Sequence, residues 1–169
     1  MFRLRFFALV AVTVVLPLNG ADAVDQAIIL QATVPKYCTI GGSGSPDHVT
    51  VPILSNGSVD TTEIDKSYPV VCNAAASVSL TSLSGAMVTA ATPIPLFDAF
   101  INYRVDTTGF AIVSGVTTNT GGSQSLGSVN TSGPANTNLN VKITPQSNTY
   151  PLAGGSYQDT LTISINPLP

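Results

Sequence analysis

The sequence predicts an all-β protein, an antiparallel β-sandwich. Three observations carry this. Beyond residue 23 the apolar residues recur with period two rather than 3.6. The 14 Gly and 12 Pro punctuate the chain into short runs. No window of ten or more residues carries a helical apolar stripe, and roughly eight strands separated by turns suit a sandwich.

The first residues stand apart. Arg3 and Arg5 precede an apolar run, Phe6 to Leu18, and Ala21-Asp22-Ala23 offers a small-x-small cleavage site. These are the parts of a signal peptide, expected over residues 1–23. The rival is an uncleaved anchor, but the run is shorter than the roughly 20 residues a spanning helix needs, and Pro17 interrupts its end. The expected route is export through the inner membrane to the periplasm, then to the cell surface or medium.

Next comes an arm, residues 24–37. Ile28, Leu30, Ala32 and Val34 alternate with polar Gln31 and Thr33. This is either a detached strand offered to another chain or the first strand of its own sheet; alternation alone fits both. Cys38 and Cys72 are the only cysteines. In an oxidising compartment such a pair reads as a disulfide. A redox pair would want Cys-x-x-Cys spacing or a thiolate-stabilising neighbour, and neither is evident.

The remaining strands follow in order. His48 to Leu54 alternates through Val49, Val51 and Ile53, with Pro52 suggesting an edge. Tyr68 to Cys72 and Val78 to Leu83 are short β-rich runs. Phe97, Ala99, Ile101, Tyr103 and Val105 alternate with Asp98, Asn102, Arg104 and Asp106, with Phe100 as the break. Phe110 to Val116 follows at hairpin distance. Thr117 to Asn138 is Thr/Asn/Gly/Ser-rich, with Leu126 and Val129 as its only large apolar anchors, and reads as a long loop or an exposed strand pair. Leu139, Val141 and Ile143 alternate again, as do Tyr157, Leu161, Ile163 and Ile165.

Composition excludes several functions. Charged residues make up 9% of the chain, against about 25% in typical domains. After residue 23, Lys36, Lys66, Arg104 and Lys142 face eight carboxylates, a net charge of −4. No basic face for nucleic acid can be built from that. A zinc site needs several His or Cys beyond one His and one Cys pair. A coiled coil needs charged heptads, which are missing.

Chemistry has few candidates. His48, the only His, follows Asp47. Neighbours on a strand point to opposite faces, so Asp47 is poorly placed to orient it, and no Gly-x-Ser-x-Gly elbow occurs. Asp60, Glu63 and Asp65 lie within six residues. Ca2+ takes such oxygen ligands, but without EF-hand spacing a solvated loop is the simpler reading. No catalytic residue, metal ligand, cofactor or small-molecule substrate is assigned. A secreted hydrolase remains the weakest of three readings, behind a structural subunit and a self-contained binding or adhesion module.

Three stretches carry a family resemblance: Lys36-Tyr37-Cys38-Thr39-Ile40; Tyr68-Pro69-Val70-Val71-Cys72-Asn73 leading into Val78-Ser79-Leu80-Thr81-Ser82-Leu83-Ser84-Gly85; and Gly154-Gly155-Ser156-Tyr157-Gln158-Asp159-Thr160-Leu161-Thr162-Ile163-Ser164-Ile165. Their order and spacing, behind a signal peptide and an apolar arm, resemble the spore coat protein U-like subunits of archaic chaperone–usher pili. The resemblance implies an incomplete immunoglobulin-like sandwich over residues 38–169. A periplasmic chaperone would lend it a strand, an outer-membrane usher would export it, and the arm of the next homo- or hetero-polymer subunit would replace the chaperone's strand. It makes Ile28, Leu30, Ala32 and Val34 the donor residues. It makes Tyr157, Leu161, Ile163 and Ile165 one wall of the acceptor groove, with Cys38–Cys72 bracing the domain. The chain departs from the better-known pilins, which often end near an aromatic residue: here Leu168 stands between Pro167 and Pro169.

Overall fold

A computed structural model describes residues 26–41, 45–90, 92 and 94–169. The signal-peptide segment, residues 1–23, lies outside the described residues. The sandwich forms one compact unit, Val34–Pro169, and residues 26–33 fall in a separate one. Among the described residues there is no helix.

The strands are β1 (Cys38–Ile40), β2 (Ile64–Cys72), β3 (Ala76–Ser82), β4 (Met87–Thr89), β5 (Phe100–Ile101), β6 (Tyr103–Gly109), β7 (Val116–Thr117), β8 (Gln124–Asn130), β9 (Ala135–Pro145), β10 (Tyr157–Gln158) and β11 (Leu161–Pro167). One sheet runs β1-β2-β9-β6-β7, a second β11-β3-β8, and a small third β10-β4-β5. All strand pairs are antiparallel.

Alternation decides which face is inside. Along β3, Ala76, Val78 and Leu80 are buried; along β9, Leu139 and Val141; along β6, Tyr103 and Val105. These residues join Val70, Phe110, Val113 and Leu126 in one hydrophobic cluster. That cluster draws on both larger sheets, which makes the unit a sandwich. The expected all-β antiparallel sandwich is therefore observed.

Several local expectations are corrected. His48 to Leu54 is not an edge strand. Pro52 cannot donate to a ladder, and its carbonyl instead accepts from Asp60 N at 3.0 Å. The segment curls into a small turn with one bridge, Ile53 to Val59. The strand expected from Phe97 to Val105 begins later: Phe97 is exposed, Asn102 interrupts the ladder, and pairing continues to Gly109. Phe110 to Val116 is mostly not a strand. Thr107 holds it as a tucked loop, donating from Oγ1 to Ala111 O at 2.8 Å and accepting from Val113 N at 2.9 Å, so Phe110, Ala111 and Val113 enter the core. Gly109 starts that loop at φ +83°, where a Cβ would stand 2.2 Å from Asn138 O.

Thr117 to Asn138 is neither a long loop nor an exposed strand pair. It contains all of β8 and the start of β9, which pair in different sheets. Leu126 is fully buried and sits at a bulge, between Gly127, which pairs with Leu80, and Ser125, which pairs with Thr81.

Candidate functional site

The two larger sheets meet differently on their two sides. At one side β7 and β8 approach, and the tucked loop fills the space; a Cβ on Gly127 would meet Val113 at 2.7 Å. At the other side the edge strands are β1 and β11. They come within 8 Å of each other but share no ladder. Between them lies a cleft of about 490 Å3, lined by Ile40, Gly41, Ser45, Pro46, Asp47, Tyr68, Leu161 and Ile163.

The wall on the β11 side follows from the sequence. Leu161, Ile163 and Ile165 face the core but are only half-buried, because β11 pairs with β3 on one side and, among the described residues, with no strand on the other. Tyr157 is placed elsewhere. It lies in β10, which pairs with β4 in the small sheet, and its hydroxyl sits 3.0 and 2.8 Å from the carbonyl oxygens of Asp98 and Ala153. The expected wall from Tyr157 to Ile165 is thus two strands in two sheets. Asp159 separates them. Its carboxylate accepts from Ser82 Oγ and Tyr103 Oη, and from the amides of Ser84 and Thr160.

The opposite wall was not legible in advance. The disulfide Cys38–Cys72 is formed, and these residues face each other across β1 and β2. β1 stops after Ile40. Gly41 N donates to Pro69 O at 2.6 Å, and a Cβ at Gly41 would lie 2.3 Å from Pro69 Cγ. From Ile64 to Tyr68, β2 therefore has no β1 residue beside it. The half-buried Tyr68 ring reaches the cleft there. A signal existed in the alternation Ile64, Lys66, Tyr68, Val70, but only the fold sets this face opposite β11.

Polar groups edge the cleft. Tyr68 Oη donates to Asp47 Oδ2 at 3.0 Å, and Lys66 Nζ stands 3.2 Å from the same oxygen. The Lys66 hydrogen bond, then that from Tyr68, holds the Asp47 carboxyl below its usual range. Burial, then the neighbouring Asp47, pushes the Tyr68 hydroxyl up.

Among the described residues of the arm, 26–37, there is no strand. Residues 26–37 are unpaired in any ladder, so a first strand in the protein's own sheet is not observed. Ile28, Leu30, Ala32 and Val34 are exposed, Leu30 to 90%. Val34 lies at the start of the sandwich unit. Just beyond it, Asn73 grips the chain, donating to Pro35 O and accepting from Tyr37 N.

The alternative chemistry does not assemble. His48 is exposed, and Asp47 is hydrogen-bonded to Lys66 and Tyr68. Asp60 accepts from Thr62, Glu63 pairs with Lys142 at 2.7 Å, and Asp65 is exposed. Among the described residues no three His, Cys, Asp or Glu side chains gather as a metal site.

No family model matches the chain, and no curated protein matches it. Among solved structures, a chain from a chaperone–tip adhesin complex in CFA/I fimbriae biogenesis is similar to it. The identity is 10% and the TM-score 0.39, over 79% of this chain and 42% of that one. The protein thus spans less than half of that chain's length. A likeness so distant carries no argument about what this protein does.

Proposed function

We propose that this protein is a non-enzymatic structural subunit of a surface pilus or coat, assembled by strand donation. The observation that carries the reading is the cleft between β1 and β11, two sheet edges with no strand between them among the described residues. β11 offers an unpaired edge and a row of half-buried Leu161, Ile163 and Ile165. An unpaired edge beside apolar side chains is an aggregation liability unless another strand covers it. A donated strand supplies ladder bonds and apolar side chains together. The arm has the required pattern, and burial of each large side chain contributes roughly 1.5–3 kcal/mol.

In this reading residues 1–23 are removed on export and residues 24–37 form the donor arm. Residues 38–169 form an incomplete immunoglobulin-like domain. A periplasmic chaperone holds the groove until an outer-membrane usher passes it to the next subunit.

The test compares the intact secreted protein with a form lacking residues 24–34, each with and without a synthetic 24–34 peptide. Size-exclusion chromatography and thermal unfolding are the readouts. Heat-stable oligomers from the intact form, and a weak monomer rescued by the peptide from the shortened one, are expected. A stable intact monomer that never takes up the peptide overturns the proposal and leaves a self-contained binding module.

A further inference from the structure

The cleft is bounded on one side by a segment that is not part of any strand. Ser45, Pro46 and Asp47 line it together with Leu161 and Ile163. A single carboxylate ties this segment to β2: Asp47 Oδ2 accepts from Tyr68 Oη at 3.0 Å and pairs with Lys66 Nζ at 3.2 Å. Both β2 partners lie on the stretch that has no β1 residue beside it.

We infer that residues 45–47 are a strap along the groove, latched by Asp47 to Tyr68 and Lys66, and that unlatching controls how fast a strand enters. This rests on the strand-donation reading and adds a regulatory contact to it. The latch joins an exposed carboxylate directly to an ammonium and a phenol at the protein surface. Contacts of this kind are weak enough to open repeatedly. Tyr68 links the strap to the groove itself, because its ring lines the cleft while its hydroxyl holds the latch. An entering side chain that shifts the ring also strains the latch, and a closed latch keeps the ring and Pro46 in the groove. The strap therefore acts on the barrier to entry more than on the final fit, since the ladder bonds and apolar contacts of a seated strand do not involve Asp47.

The test follows uptake of a fluorescent 24–35 peptide by the full-length protein, read as anisotropy against time at several peptide concentrations. Tyr68→Phe keeps the ring and removes only the latch hydroxyl; Asp47→Ala removes the acceptor. Glu63→Gln, which changes charge without touching the strap, serves as the control. Thermal midpoints establish that all forms are folded. Both latch variants are expected to take up peptide roughly two- to fivefold faster than the wild type, in line with the strength of exposed pairs. The control should match the wild type in both rate and plateau. Equal rates in wild type and both latch variants overturn the strap and leave strand donation standing. Uptake by none of the forms overturns strand donation, and the strap with it.

Discussion

The Tyr103 hydroxyl donates a 2.5 Å hydrogen bond to Asp159 Oδ2, joining the start of β6 to the residue just before β11. Ser82 Oγ donates to the same oxygen at 2.5 Å, and Ser84 N and Thr160 N donate to Oδ1 at 2.9 and 2.7 Å. Tyr103 is only 4% exposed and Ser82 is fully buried. One carboxylate thus fixes where β3 ends and where β11 begins.

Replacing Asp159 with Ala leaves these donors without an acceptor. Each unsatisfied buried group costs about 1–3 kcal/mol. Asp159→Ala should therefore lower unfolding stability by roughly 2–4 kcal/mol, with Tyr103→Phe costing less because it removes one bond and strands no acceptor. Urea denaturation of the three proteins checks the order; equal midpoints for Asp159→Ala and wild type would remove Asp159 from this role.

The same pair predicts an alkaline limit. Burial, reinforced by the Asp159 hydrogen bond, raises the Tyr103 hydroxyl well above the ordinary value of 10. The folded state keeps its proton where the unfolded state has lost it. The contribution is complete below pH 10 and declines as pH rises above it toward the folded value. Stability measured from pH 8 to 11 should fall more steeply for the wild type than for Tyr103→Phe.

The Cys38–Cys72 bond closes a loop with a sequence separation of 34. In the chain-entropy model such a loop is worth about 3–4 kcal/mol. A Cys38→Ser, Cys72→Ser protein should show that loss in its denaturant midpoint. Adding reductant should then change the wild type but not the double variant.

Leu96 sits at φ +65° and is 69% exposed, in a turn closed by Phe97 N to Ile94 O at 3.2 Å. A branched residue in that region is disfavoured by about 1–2 kcal/mol. Leu96→Gly relieves this while making the unfolded chain freer, so a net gain of about 0.5 kcal/mol is expected. Thermal unfolding measures it; a clear loss would mean that the Leu96 side chain holds the turn.

Ile163 projects from the centre of β11 into the cleft and is half-buried. Ile163→Lys places a charge where an apolar strand is proposed to seat, while the ammonium can still reach water. The variant should fold and fail to bind the arm peptide in the chromatographic assay. Full binding would move the proposed seat away from β11.

The strands whose apolar residues alternate strongly could be read directly from the order of the residues. β3, β9 and β11 are legible because period two is a local property, written in Val78 and Leu80, in Leu139 and Val141, and in Leu161, Ile163 and Ile165. The cysteine pair was legible for a similar reason, there being no other cysteine with which either could bond. β8 was not legible: it depends on backbone pairing with β3 and on one buried side chain, Leu126, within Ser, Gly and Asn. Tyr157 looked continuous with Leu161 because alternation does not register a change of sheet. The break there is set by four donors converging on Asp159, three of them from distant parts of the chain. The second wall of the cleft was likewise decided by the fold. Tyr68 and Ile163 are distant in the chain, and what brings their faces together is the burial of one shared core between two sheets, a non-local condition that no short window of residues records.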